Sequence, residues 1–291
     1  MHTTLQLILT GLQIGSVYIL FSLGLTLIFG VMKVVNFAHG QFFTLAALLV
    51  SVLVPSFTTW GLSLAAAFLA SAAVAIGATA ALGLLVYQFG FRFFQRDLVG
   101  SFILSAGLVL LFEGAFLHFF GGAVRAVPPI IEGMVSIFGV NIMAQRLVLC
   151  IVALFFTVVL YFVLTATRLG KAMRAVSIDH EAAMLQGIPY RKIALYGFLI
   201  ATLLGALAGA IVAPVSVVTP TVGADYLVKG FIAVIIGGLG SVPGAIFGSL
   251  FIAFIESFGG HFFDPSTASL AIFVLVMVTL LVRPKGLLGN G

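Results

Sequence analysis

The chain has 291 residues, of which 62% are hydrophobic and only 7% charged, with a mean hydropathy of +1.31, far from the roughly one-quarter charged composition of soluble domains. Apolar runs recur from Leu5 to Val282, which excludes a soluble domain behind one cleavable leader, and no basic leader region with a cleavage site precedes Leu5. The net charge of +5 reports Lys and Arg retained in short cytoplasmic loops rather than a nucleic-acid partner.

These runs are apolar all round, unlike the alternating strands of a membrane β-barrel. The expected fold class is all-α, a polytopic helical membrane bundle forming a single transmembrane domain over 1–291. About eight or nine membrane segments are expected, some short or interrupted.

The first segment, 5–29, has no charge, and KVVNFAHGQF (33–42) separates it from a second, 40–54. Lys33, Asn36, His39, Gly40 and Gln41 thus lie between two runs suited to lipid. Broken backbone at membrane depth lines a cavity or gate, with Asn36 and His39 offering hydrogen bonds to freed backbone groups. An ordinary short loop with Asn36 as a helix cap is the other reading. Segments 62–87 and 102–120 flank FRFFQRD (91–97), a basic loop, and the second carries Glu113 and His118. The loop 121–145, with Arg125, Pro128, Pro129 and Glu132, is expected to face outward. It either meets an extracytoplasmic partner, covers a pore, or is a connector with a short interfacial helix. Cys150, the only cysteine, lies in segment 147–166 as a packing residue.

The longest polar stretch is 168–192, with five basic and two acidic residues. Within it Asp179 can cap a short helix that Glu181, Ala182 and Ala183 favour and that Gly187 and Pro189 end. Segment 193–217 follows, where Gly197, Ala201, Gly205 and Gly209 recur every four positions as a stripe for close helix packing. Gly11 with Gly15 and Gly244 with Gly248 repeat that spacing. Segment 227–238 would span only about 18 Å, short of a core of roughly 30 Å, so it is either a short leg or half of a broken helix. GGLGSVPG (237–244) follows, offering Gly237, Gly238 and Gly240 as a second interruption before 243–258 and 268–282. Counting crossings from basic loops puts 168–192 and the tail 283–291 in the cytoplasm and the N-terminus outside.

No GxxxxGK[ST] run cradles nucleotide phosphates, and neither HExxH nor GxSxG occurs; no catalytic residue, metal or cofactor is assigned to this chain. Gln13, Asn36, His39, Gln41, Glu113, His118, Lys229 and Glu256 are its intramembrane polar groups, each a functional candidate by its cost in lipid.

EAAMLQGIP within 168–192 resembles the EAA-type loop of ABC importer permeases. GLTLIFGVMKVVNFAHGQF, RAVSIDHEAAMLQGI, FIAVIIGGLGSVPGAIFGSL and RPKGLLG occur in the order seen in branched-chain amino acid ABC transporter permeases of the high-affinity Liv H type, and together they cover most of the chain. The resemblance implies a permease subunit in the bacterial inner membrane that imports aliphatic amino acids. It also implies a second, homologous permease, two cytoplasmic ATPases that use the ATP, and an extracytoplasmic substrate-binding protein. The coupling loop would be 168–192. One departure is Gln41, where that family usually has glutamate. Urea and short-chain amide permeases share the framework. An ion-coupled secondary transporter, using Glu113, His118 or Glu256, and a membrane enzyme with dispersed groups are the competing classes.

Overall fold

The computed structural model describes residues 2–137, 139–283 and 286–288; of the predicted cytoplasmic tail, Pro284, Lys285 and 289–291 lie outside the described residues. In chain order the elements are α1 (His2–Met32), α2 (His39–Thr59), α3 (Leu64–Phe89), α4 (Leu98–Phe120), an antiparallel hairpin of β1 (Met134–Ile137) and β2 (Val140–Met143), and α5 (Ala144–Ala166). Then come α6 (Arg168–Ile178), α7 (His180–Leu185), α8 (Tyr190–Val212), α9 (Val222–Gly237), α10 (Val242–Phe262) and α11 (Pro265–Val282). Among the described residues seven helices, α1 to α5, α8 and α10, are long and apolar enough to cross a membrane. With the shorter apolar helix α11 and the 16-residue α9, they make a multi-pass membrane protein.

Short polar side chains set where helices begin. Ser63, Asp97, Thr167, Ser241 and Asp264 each accept a hydrogen bond from a backbone N–H in the first turn of α3, α4, α6, α10 and α11, satisfying donors that have no intrahelical partner. Hydrogen bonds from Thr267 hold the exposed Asp264 carboxyl below its usual range.

Three expected boundaries move. The segment expected at 193–217 ends at Val212, because Pro214 cannot continue the ladder, and 213–221 forms a separate turn-rich segment. The segment expected at 227–238 begins at Val222 and has 16 residues, about 24 Å of helix. The connector between α4 and α5 contains the β1–β2 hairpin rather than an interfacial helix, as β-branched Val135, Val140 and Ile142 favour.

Contacts sort the connections into two ends. At one, the loop end, His2 lies against Gly139, and Arg125 and Val218 exchange backbone hydrogen bonds of 3.0 and 2.9 Å. At the other, the basic end, the Arg96 N–H donates to the Met32 carbonyl at 3.2 Å. There the Arg96 guanidinium also lies 5.8 Å from the Tyr190 ring, and the Tyr87 hydroxyl donates to the Arg191 carbonyl at 3.0 Å.

α1 is the central post, packed on α5, α8, α9 and α10 and buried nearly throughout from Val17 to Met32. The small-residue stripe of α8 faces it and α2: Gly197 meets Val31, Gly205 meets the His39 ring, and Gly209 meets the Phe43 carbonyl. Ala201 is fully buried between them. Gly11 and Gly15 receive Phe254, Leu250 and Ala253 of α10. α3, α4, α5 and α11 turn apolar side chains outward, Leu110, Ile151 and Leu281 among them, as suits lipid or a companion membrane subunit.

Candidate functional site

The first interruption is a partly buried segment, residues 33–38, outside helical pairing. Lys33 takes a left-handed conformation (φ 54°) that breaks α1, and helical pairing resumes only at His39. Phe37 wedges the segment in place, stacked on Phe231 of α9 at 5.0 Å and edge-on to Phe102 of α4 at 5.3 Å. The freed backbone groups are served by α4: the Ser101 hydroxyl accepts from the Val35 N–H at 3.3 Å, and the Ser105 hydroxyl lies 3.4 Å from the Val35 carbonyl, shared with Phe102. Neither serine stood out in the sequence analysis. Their spacing of four on an otherwise apolar helix was the available signal.

Asn36 and His39 do not fill that backbone role, contrary to expectation. Both are fully buried, and among the described residues neither the Asn36 amide nor either His39 ring nitrogen has a partner in hydrogen-bond geometry; the Phe21 backbone approaches the His39 ring only outside it. Nor does Asn36 cap α2, whose N-cap position is Ala38 with no side-chain cap bond. The His39 ring is clamped by glycines: a Cβ on Gly24 would lie 2.6 Å from Nε2, and one on Gly205 would lie 3.1 Å from Cε1. Phe21 meets the ring edge-on at 4.7 Å. Gly40 packs backbone to backbone on Gly223 at the start of α9, where the Gly223 N–H donates to Thr44 Oγ1 at 3.0 Å. The Gln41 amide donates to Glu113 Oε1 at 3.4 Å, so the departure from glutamate places a donor, not a second carboxylate, beside Glu113.

The second interruption lies elsewhere. Gly237 packs on Gly244, Gly240 on Gly30, and Gly286 of the tail on Gly238. Gly238 (φ 110°) and Gly240 (φ 84°) adopt backbone conformations that favour glycine. The Leu287 and Leu288 N–H groups donate to the Ile236 and Gly237 carbonyls at 2.8 and 3.0 Å, so the tail closes the end of α9. Gly237, Gly238 and Gly240 therefore do not join Asn36, His39, Gly40 and Gln41. Gly30 and Gly24, their respective contacts on α1, are about 9 Å apart along the helix.

Asp179 caps α7, accepting from the Glu181 and Ala182 N–H groups at 3.0 and 3.1 Å. Ala183 is buried, whereas Ile178 and Leu185 are 86% and 88% exposed. Gly187 (φ 81°) ends the turn in open space, so the need for glycine there is conformational rather than steric. Pro189 then precedes α8. Behind this exposed helix, Met173 and Ser177 of α6 face Thr26, Gly30 and Gly240 across a small cleft, linking the surface of 168–192 to the end of α1 and the second interruption.

A cavity of about 560 Å³ opens toward the loop end, between the first half of α1, the start of α5, the 212–222 segment, α9 and Glu256. Lys229 forms an ion pair with Glu256, whose other oxygen accepts from the Tyr18 hydroxyl at 2.6 Å. The Lys229 ammonium also lies 5.7 Å from the Tyr18 ring. Arg146 and Asp225, both exposed, complete a charged lining. Lys229 and Glu256 were visible in the sequence as isolated groups. Tyr18, Arg146 and Asp225 were not singled out, because helix packing alone brings them together. The three alternative candidates for ion coupling lie apart: Glu113 meets Gln41, Glu256 meets Lys229, and His118 is exposed near the end of α4 beside Phe119.

Compared with known proteins, residues 7–282 match the family described as branched-chain amino acid transport system / permease component. The chain is 28% identical to the high-affinity branched-chain amino acid transport system permease protein BraD of Pseudomonas aeruginosa, covering 98% of this chain and 96% of that one. It is 26% identical to the corresponding LivH protein of Escherichia coli over the same shares. A fructose import permease protein, FrcC of Rhizobium meliloti, is 29% identical over 65% of this chain and 52% of its own. No solved structure matches the chain.

Proposed function

The chain belongs to the branched-chain amino acid transport permease family, and from that premise we propose that it is the membrane subunit of an ATP-driven importer of aliphatic amino acids. In this reading the basic end faces the cytoplasm and the loop end faces outward. The N-terminus is then outside, the tail inside, and the surrounding bilayer is the bacterial inner membrane. Lys33, Arg92, Arg96, Arg168, Lys171, Arg174, Arg191 and Lys192 all belong to segments at the basic end, as retention of cations on the cytoplasmic side requires.

The observation that carries the proposal is α7. A six-residue helix, capped by Asp179, ends on exposed Leu185 and follows exposed Ile178 at the end of α6, while α6 behind it packs toward α1 and Gly240. Uncovered large apolar side chains in a basic loop suit a partner's groove, and the packing behind them supports transmission of that partner's movement into the bundle. The partners are two cytoplasmic ATPases that use the ATP. A second, homologous permease and an extracytoplasmic substrate-binding protein complete the assembly, and in this reading the nucleotide is bound by the ATPases. Residues 168–192 form the coupling loop of a single transmembrane domain.

The test is reconstitution with those subunits in proteoliposomes, assaying ATP-driven uptake of leucine, isoleucine, valine, urea, small amides and fructose. Leu185→Asp and Gly187→Val are expected to leave the permease folded while abolishing ATPase association or uncoupling hydrolysis from uptake. Retention of assembly, hydrolysis and uptake by both variants would sink the coupling role. Uptake of urea, amides or fructose without the aliphatic amino acids would overturn the cargo.

A further inference from the structure

The charges lining the large cavity are an unusual investment for a membrane bundle. Lys229 and Glu256 sit on helices α9 and α10, their side chains 28% and 26% exposed. Ionised groups in such segments are expensive and persist where they meet a partner, a cavity or a ligand. Here they meet each other and the cavity at once. The ammonium has three donors and the carboxylate about four acceptor sites. The Lys229–Glu256 pair and the Tyr18 hydrogen bond occupy only part of that capacity, so both groups can also bind a ligand. Arg146 and Asp225 add one charge of each sign, and among the described residues they are not paired with each other.

The formal charge of this lining sums to zero, with two cations and two anions in one chamber. A ligand that is itself neutral overall but carries both signs matches it; a lone anion or cation leaves one side unsatisfied. A neutral sugar finds hydroxyl partners in Thr10, Ser216 and Thr219 but offers no charge to match either sign. Between the charges, Ile14, Val17, Leu149, Val212 and Val222 give the cavity an aliphatic wall. Its volume of about 560 Å³ falls in the range of small-molecule sites, with room for a ligand and several waters.

We propose that this cavity is a binding site for the free zwitterion of an aliphatic α-amino acid within the permease itself. The carboxylate lies on Lys229, the ammonium on Glu256, and the side chain against the Ile14–Val17–Leu149 wall. The inference rests on the reading of the chain as an amino-acid importer and deepens it, since it makes the membrane subunit a second point of recognition after the binding protein. Tyr18 is a positioning residue: its hydroxyl holds one Glu256 oxygen, which fixes the orientation of the other toward Lys229 and the ligand.

The test uses the complete complex in detergent without the binding protein, and displacement of labelled leucine by leucine, 4-methylpentanoate (no ammonium) and isoamylamine (no carboxylate). In the wild type each truncated analogue is expected to bind at least about tenfold more weakly than leucine, the scale of a lost charged hydrogen bond. Lys229→Met should erase the difference between leucine and isoamylamine, and Glu256→Gln that between leucine and 4-methylpentanoate. A purely structural ion pair would not produce that crossed pattern. Wild-type discrimination by both assembled variants, or equal binding of the analogues to the wild type, overturns the proposal.

If Lys229→Met fails to assemble, exchanging the pair (Lys229→Glu with Glu256→Lys) preserves an ion pair. It should leave an assembled complex that binds leucine at least tenfold more weakly, and unchanged affinity there also overturns the site. Leucine imported into proteoliposomes but unbound by the binding-protein-free complex would reject the site and leave the importer reading intact. Leucine neither bound nor imported rejects both.

Discussion

The two interruptions of the bundle look alike as strings and differ in how they are built. Between α1 and α2 the chain leaves helical pairing for six residues, and among the described residues the side chains of Asn36 and of His39 at the start of α2 have no hydrogen-bond partner. Between α9 and α10 the chain makes a glycine turn at the basic end, where Gly238 and Gly240 hold left-handed conformations and the tail supplies donors to the last carbonyls of α9. The second break is closed by backbone donors from the tail and by the Ser241 cap of α10. The first is held by serines from another helix and keeps two unsatisfied polar side chains. A satisfied turn has little reason to change, whereas buried groups without partners are costly to keep. The first interruption is therefore where the bundle has hydrogen-bonding capacity left for another arrangement, and the predictions below test that contrast.

The largest effect is expected at Gly223. A side chain there would run into the Gly40 carbonyl and Thr44, backbone and a fully buried residue that cannot swing away. Gly223→Val should abolish a folded permease, read as loss of the monodisperse peak on size exclusion after detergent extraction. Gly240→Ala makes the contrast: its surroundings are open apart from Gly30, so only the left-handed backbone is penalised, by roughly 1–2 kcal/mol. Comparable yields from the two variants would contradict the difference between the close backbone contact at Gly223 and the open surroundings of Gly240.

Next are the serines. Ser101→Val and Ser105→Val remove the groups facing the Val35 N–H and carbonyl. An unsatisfied buried backbone group costs about 1–3 kcal/mol, so the double variant should melt well below the wild type in a thermal unfolding assay. Each single variant should show an intermediate loss. An unchanged melting temperature for the double variant would mean that the Val35 backbone finds other partners.

These serines also mark the limit of what the letters revealed. The runs of apolar residues, the break after Met32, the Asp179 cap and the stripe on α8 were legible, because each is a local pattern of composition or spacing. The partners of the break were not, since Ser101 lies 66 residues beyond Val35 and only packing of α4 on α2 brings it near. Lys229 and Glu256 could be suspected singly for their cost in lipid, but nothing local says that they meet. The reach of α8 was overestimated because hydropathy runs smoothly through Ala213 to Val217, while Pro214 acts on hydrogen bonding that hydropathy does not measure.

Asn36→Leu and His39→Leu sharpen the comparison in the opposite sense. Removing a buried polar group that has no partner relieves a desolvation cost instead of creating one. Thermal stability is therefore expected to stay level or rise slightly in Asn36→Leu. In His39→Leu the gain is offset in part by the fit of the ring between Gly24 and Gly205. Uptake by the reconstituted importer should nevertheless fall several-fold, since the lost capacity is what another arrangement would use. Stability lost without any change in uptake per folded transporter would make both residues simple packing elements.

The smallest effect is expected from the tail. Truncation after Arg283 removes the Leu287 and Leu288 N–H donors from the Ile236 and Gly237 carbonyls and uncovers the Gly238 turn. These carbonyls lie at the basic end, and where water replaces the tail they need not stay unpaired, so the net loss is that of ordinary exchanged hydrogen bonds, about 0.5–1.5 kcal/mol each. The truncated permease should assemble, melt only slightly earlier and import at close to the wild-type rate, because the described residues of the tail close a helix end and do not line the large cavity. Hydrogen exchange supplies the finer reading: amides in the last turn of α9 should exchange faster on truncation, while those of Leu20 to Ile28 in α1 remain protected. Uptake lost in a truncated but fully assembled complex would assign the tail a part in transport, and the second interruption would then be more than a closed turn.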